Sequence, residues 1–238
     1  GYHAAKLQRA QDLIDRHLSQ GNQKVLDMLN TNYFIVGQPG QEQVQQNPNA
    51  LGNAWLISNF QTVNSANAEI DALNDFDPAT TAVVHQDFKE YIAGLSPSGA
   101  GQIKLTSYAP NQLTYEATVQ GDQFAVFSEV WYGPDKGWQA YIDGQPVDHI
   151  RVNYLLRGLK IPAGQHEITF EFSPASFDRG VMVSRIFSSL ILLGLIGYVG
   201  YSGYQFYQNP PSEPKPQDAG SKQTQPATTR TQRKKKKK

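Results

Sequence analysis

The 238-residue chain contains no cysteine, which removes disulfides, thiolate metal sites and cysteine nucleophiles together. Its five histidines, His3, His17, His85, His149 and His166, are scattered. None falls at the HxH or HExxH spacing by which one element presents two ring nitrogens to a metal. No GxSxG elbow, Walker loop or GxGxxG turn occurs, so nucleophilic and nucleotide-binding schemes have no local support. Acidic neighbours such as Glu69 with Asp71 and Asp75 with Asp77 read as helix-end and loop carboxylates, because nothing nearby supplies the positioning that acid/base chemistry needs. The expectation is a chain with no catalytic set, cofactor or metal site of its own. It opens Gly-Tyr-His-Ala, with neither an initiator methionine nor a signal-peptide pattern, and truncation of a longer, exported protein is expected.

The body also lacks positive charge. Up to Phe206 there are 12 Lys and Arg against 19 Asp and Glu, a net of −7, whereas Tyr207 to Lys238 carries 9 basic and 2 acidic residues, a net of +7. An acidic globule is tied to a basic tail, and an acidic surface does not neutralise phosphates, so no nucleic-acid partner is expected.

What is present is first helical. Leu7, Ala10, Ile14 and Leu18 recur at three- and four-residue steps within residues 3–18, one face of an amphipathic helix that Gly21 ends. A short helix is predicted over 23–29, an extended run over 33–36, and a loop over the Gly-, Gln-, Asn- and Pro-rich 37–53. Strands are predicted at 54–57 and 82–84, with a helix between them at 66–73. From Gly101 the period becomes two. Leu113, Tyr115, Ala117 and Val119 alternate with polar residues, as do Ile168, Phe170 and Phe172, the pattern of half-buried strands. With 124–131, 138–142 and 150–159 they make five or six antiparallel strands, joined by turn signals such as Asp143-Gly144.

Ile186 to Tyr207 is 22 residues without a formal charge, and about 20 suffice for a helix to cross a bilayer. Tyr201, Tyr204 and Tyr207 near its end fit an interfacial belt. Gly194, Gly197, Gly200 and Gly203 recur every third residue, either because neighbouring membrane helices approach there or because glycine is common in such helices. The expected architecture is α+β: a mixed helix and strand segment over 1–100, an antiparallel β-sandwich over 101–178, a transmembrane helix over 183–207 and a disordered basic tail over 208–238. Local Lys and Arg counts flanking the membrane segment are even, Arg179 and Arg185 before it and Lys215 and Lys222 after it. The run Lys234 to Lys238 favours a cytoplasmic tail and an extracytoplasmic globule. That tail reads as a solvated charge run, a membrane-surface contact or a nuclear-type basic signal.

One chemical feature stands out. Trp131, Tyr132, Trp138 and Tyr141 cluster around one hairpin, and they are candidate glycan-contacting residues or core aromatics. By alternation Trp138 shares a face with Ala140, and Tyr141 shares the other with Gln139, so this strand places at most half of the cluster in the core.

The runs Ser128-Glu129-Val130, Gly137-Trp138-Gln139-Ala140-Tyr141-Ile142-Asp143-Gly144, Asn153-Tyr154-Leu155-Leu156-Arg157-Gly158 and Ile161-Pro162-Ala163-Gly164-Gln165-His166 resemble the C-terminal extracytoplasmic part of YfhO-type bacterial membrane proteins. Phe170-Glu171-Phe172, the run from Val25 to Phe34 and the run from Asn47 to Trp55 are similar to that family too, and the resemblance covers about residues 1–207. It implies the last part of a polytopic inner-membrane protein related to glycosyltransferases that use lipid-linked sugars, with partners among the bilayer, a lipid-linked sugar or envelope glycan, and other transmembrane helices. The acidic catalytic residues of such enzymes lie in early loops, so the resemblance assigns no catalytic residue here. Three readings follow. The first is an accessory region assisting sugar transfer to a cell-envelope acceptor, the second a non-catalytic glycan-binding or envelope-interaction module on one membrane helix, and the third a tail-anchored cytosolic domain.

Overall fold

The structure, a computed structural model, describes residues 7–209. The basic tail lies outside them, and so do the first four residues of the helix predicted from residue 3. The chain divides into two compact units, Gly1–Val183 and Ser184–Lys238.

The first unit opens with α1 (Gln8–Arg16) and α2 (Gln23–Met28), separated by a 3-10 turn at Leu18–Gln20 and by Gly21 in the left-handed region at φ 67°. Asn22 caps α2 by accepting from the Val25 N–H, the role for which short polar side chains are preferred. Then follow β1 (Tyr33–Val36), β2 (Gln43–Gln46), β3 (Ala54–Ile57), β4 (Asn59–Val63), α3 (Ala66–Ala72), β5 (Thr81–His85) and α4 (Lys89–Ile92). Ser65 caps α3 on the Ala68 N–H. The stretch 37–53, which composition marks as loop, contains β2; its Gln-rich sequence has no strand period, and pairing with β1 alone makes it extended.

Eight strands come next: β6 (Gly101–Ala109), β7 (Gln112–Val119), β8 (Gln123–Val130), β9 (Trp138–Ile142), β10 (Gln145–Val147), β11 (Ile150–Val152), β12 (Leu156–Ile161) and β13 (Gly164–Phe172). β9 and β10 are joined by Asp143-Gly144 alone, at φ 51° and 75°, the two-residue turn whose positive φ values match strand twist.

Besides the two-stranded β1-β2 ribbon, two larger sheets form, ordered β10-β9-β13-β7-β6 and β3-β8-β12-β11-β5-β4. All pairs are antiparallel except β4 and β5, which run parallel around the α3 crossover. The six-stranded sheet therefore joins strands from the first hundred residues to strands from the β-rich half. Its residues feed two cores. Ala125, Phe127, Leu159 and Ile161 face Leu113, Tyr115, Ala117, Ile168 and Phe170 of the five-stranded sheet. Phe124, Val126, Ile150, Val152 and Leu156 join Leu13, Val25, Met28, Ile70 and Leu73 of the helices. Consecutive β8 residues thus enter different cores, which is why β8 is apolar from Phe124 to Phe127 instead of alternating. Gly158 on β12 permits the close contact: a Cβ there would meet the Phe124 ring at 2.5 Å.

α5 (Ala175–Gln208) is 34 residues long and none of them is buried. The uncharged Ile186–Tyr207 portion, at 1.5 Å per residue, spans roughly 33 Å, sufficient for a hydrocarbon core of about 30 Å.

Candidate functional site

The aromatic cluster is distributed by strand register. β9 enters its sheet with Trp138 opposite Phe172, the last residue of β13. Ala140 and Ile142 on the Trp138 face are buried in the inter-sheet core, and Tyr141 lies on the other face opposite Thr169. The Trp138 and Phe172 rings are 5.4 Å apart at 45°. With Tyr132, Pro110, Asn111 and Lys136 they line an open groove of about 370 Å³. Backbone bonds fix its walls, Phe172 N–H to Asn111 O at 2.9 Å and Ser173 N–H to Gly137 O at 2.8 Å. Gly137, at φ 110°, brings its backbone close enough to Pro174 that a Cβ would sit 2.8 Å from the proline ring.

Beneath Trp138 lies Arg157, 2% exposed. Its guanidinium carbon is 4.1 Å from the Trp138 ring centroid and 5.1 Å from that of Phe170. Nε donates to the Val130 carbonyl at 3.0 Å, while Nη1 is buried without a hydrogen-bond partner among the described residues. Burial pushes its pKa down to about 10, opposed by the nearby Glu129 carboxylate. Burial likewise raises the Glu129 carboxyl, with Arg157 pulling the other way. Cation–π contact with a desolvated indole is favourable by about 2 kcal/mol, so Arg157 holds the Trp138 ring in place from one face. His149 packs against Phe170, with ring centroids 5.6 Å apart. Its Nε2–H donates to Trp138 O at 3.1 Å, and burial lowers its pKa, keeping the ring neutral.

Trp131 goes elsewhere. Its ring meets Phe88 at 5.9 Å and the Arg151 guanidinium at 5.6 Å, and its Nε1 is buried without a partner. Of the four aromatic candidates the fold therefore brings Tyr132 and Trp138 together, packs Trp131 away and turns Tyr141 to the opposite face. Phe172, Asn111, Lys136 and Arg157 belong to the same neighbourhood and were not singled out by the sequence. The available signals were a lone arginine inside the apolar run Leu155–Leu159 and a Phe at the very end of its strand.

A second polar cluster corrects a reading. Glu69, taken from sequence as a helix-end carboxylate, is fully buried. It pairs with Arg9 at 2.9 Å and Arg151 at 3.4 Å. Arg9 also lies over the Tyr154 ring at 4.3 Å, and the Tyr154 hydroxyl donates to Asp12. This joins α1, α3 and the β11–β12 turn; Asp71, by contrast, stays at the surface with Arg16.

Among the described residues a β-rich globule continues into one helix long and apolar enough to cross a bilayer, the pattern of a membrane protein. Within that class, the family model described as "Bacterial membrane protein YfhO" matches residues 40–184, and the chain belongs to this family. The chain is accordingly that of a bacterial membrane protein, with the lipid bilayer as a partner. Comparison with curated proteins and with solved structures gave no match.

Proposed function

We propose that this chain is the C-terminal, extracytoplasmic accessory region of a polytopic inner-membrane protein that transfers sugar from a lipid-linked donor to a cell-envelope acceptor, and that its groove holds a saccharide unit. The observation that carries this reading is the convergence of Tyr132, Trp138 and Phe172 with Asn111 and Lys136. Aromatic faces cover the apolar side of a sugar ring, and the amide and ammonium at the rim reach its hydroxyls. The groove lies where β13 ends, with only Ser173 and Pro174 between it and the start of α5, so a ligand carried on a membrane lipid has a short path to it. The catalytic acids belong to early extracytoplasmic loops of the parent protein, beyond this chain, and the tail is cytoplasmic.

The test is saccharide binding by the full chain, together with envelope glycosylation in cells carrying the parent gene. Trp138→Ala and Tyr132→Ala each weaken binding about tenfold, the equivalent of 1.4 kcal/mol, and reduce glycosylation. Tyr141→Ala leaves both unchanged. Equal loss from Tyr141→Ala, or none from Trp138→Ala, rejects the groove. Binding that is lost while glycosylation persists would assign the chain to a non-catalytic glycan-binding module instead.

A further inference from the structure

We propose that the β1–β2 hairpin is a second membrane contact, with its apolar face resting in the interfacial layer of the bilayer that α5 crosses. Tyr33, Ile35 and Val44 are 62%, 76% and 71% exposed. Ile35 is directly opposite Val44, and Tyr33 opposite Gln46, so all three share one face of the ribbon. A two-stranded ribbon has no core of its own and is marginal in water, and a contiguous exposed apolar patch marks an interaction surface.

The root of the ribbon is firmly built, in contrast to its blade. Asn47, 5% exposed, donates through Nδ2 to Asp27 Oδ1 at 2.9 Å and to Thr31 O at 2.8 Å. Its backbone N–H closes the ribbon on Asn32 O at 2.8 Å. Below it, the Ser128 hydroxyl bonds the carbonyls of Met28 and Gly52. A hydrogen-bonded base therefore presents apolar side chains that none of the described residues covers.

Strand order says which end of the sandwich carries this root. Ala54 pairs with Phe127, and Val130 with Leu156, whereas Ile161 pairs with Gln123. β13 then runs back from the Ile161 end and finishes with Phe172 opposite Trp138. The hairpin root, bound to Ser128, and the residues that lead into α5 are thus at the same end of the sandwich. The occupant follows from this and from charge. Residues 33–46 carry one formal charge, Glu42, and five glutamines, a poor match to an anionic or strongly charged partner. Tyrosine with aliphatic neighbours is the composition of a neutral membrane interface, and tethering through α5 raises the effective concentration of that surface.

The absence of cysteine makes the test direct. The full chain is reconstituted in phosphatidylcholine vesicles with a single environment-sensitive fluorophore at Ile35→Cys, at Val44→Cys, or at Gln165→Cys, an exposed position at the start of β13 at the opposite end. Spin-labelled lipid bearing its nitroxide near the headgroup should quench positions 35 and 44 several-fold more than 165, with blue-shifted emission at the first two. Quenching at 35 and 44 no greater than at 165 overturns the proposal. So does cross-linking between Ile35→Cys copies without lipid quenching, which would assign the face to a second copy of the chain. Neither result depends on saccharide binding, so this proposal and the groove stand or fall separately.

Discussion

Arg151, half-buried, and Arg157, buried, are direct cross-strand partners on β11 and β12, yet the fold treats the two cations differently. Arg151 meets the Glu69 carboxylate, which it shares with Arg9. Arg157 has no salt bridge among the described residues; it has one backbone carbonyl and the faces of Trp138 and Phe170. Burial lowers the pKa of both, but Glu69 counters this for Arg151 at ion-pair distance, whereas Glu129 acts on Arg157 from farther away. The comparison separates two uses of buried charge. The first ties helices to a sheet; the second holds an aromatic ring at the edge of a groove. Removing one member of a buried ion pair leaves an uncompensated charge, whereas replacing a buried cation that has no ion-pair partner strands no opposite charge and removes a desolvation cost.

The largest effect is therefore expected at Glu69. Glu69→Gln strands Arg9 and Arg151 and should cost about 3 kcal/mol, read as the shift in denaturant midpoint. Next, Arg151→Met should destabilise by about 2 kcal/mol, while Arg157→Met should change stability by less than about 1 kcal/mol in either direction. Equal losses from the two methionine variants would collapse the distinction. Arg157→Met should still weaken saccharide binding, since Trp138 loses its support; unchanged affinity would show that the indole is held by Phe172 alone.

The smallest effects are in pH, and two histidines give opposite signs. His149 has a folded pKa below its ordinary 6.5 because of burial. Its neutral form is the folded one, so stability is kept above pH 6.5 and falls as pH drops through the lowered value. His166 is raised above 6.5, first by its hydrogen bond to Asp143, the two atoms being 2.6 Å apart. Its contribution is complete below pH 6.5 and fades as pH rises through the raised value. In thermal melts across pH 5 to 8, His149→Gln should flatten the acid side only and Asp143→Asn the neutral side only. A change on the wrong side for either variant contradicts the assignment.

How much of this was legible beforehand differs by element. The period-two runs at 113–119 and 168–172 predict β7 and β13, because alternation is set by which residues a half-buried strand can expose. Asp143-Gly144 predicts its turn for an equally local reason, since few residue pairs tolerate two positive φ values. β2 was hidden, and so was the parallel register of β4 and β5, because both depend on a partner strand and leave no period in the sequence. In the groove, alternation separates Trp138 from Tyr141 on β9 correctly. It is silent on Trp131 and Tyr132, which lie beyond the end of β8, where no strand period operates.

The sequence by itself determined the bilayer-length helix, the family, the hairpin turn and the alternating strands, all of which rest on composition or on contacts a few residues apart. Only the tertiary structure decided that Glu69 is buried between two arginines 60 and 82 residues away, and that Trp138 belongs with Phe172 and Arg157. It also decided that Tyr33, Ile35 and Val44 are exposed on one face of the 33–46 hairpin, whose root lies at the end of the sandwich where β13 finishes. Those outcomes depend on which distant segments the two sheets bring together, and a side chain's partner across a core is fixed by register and layer order, which no local pattern records.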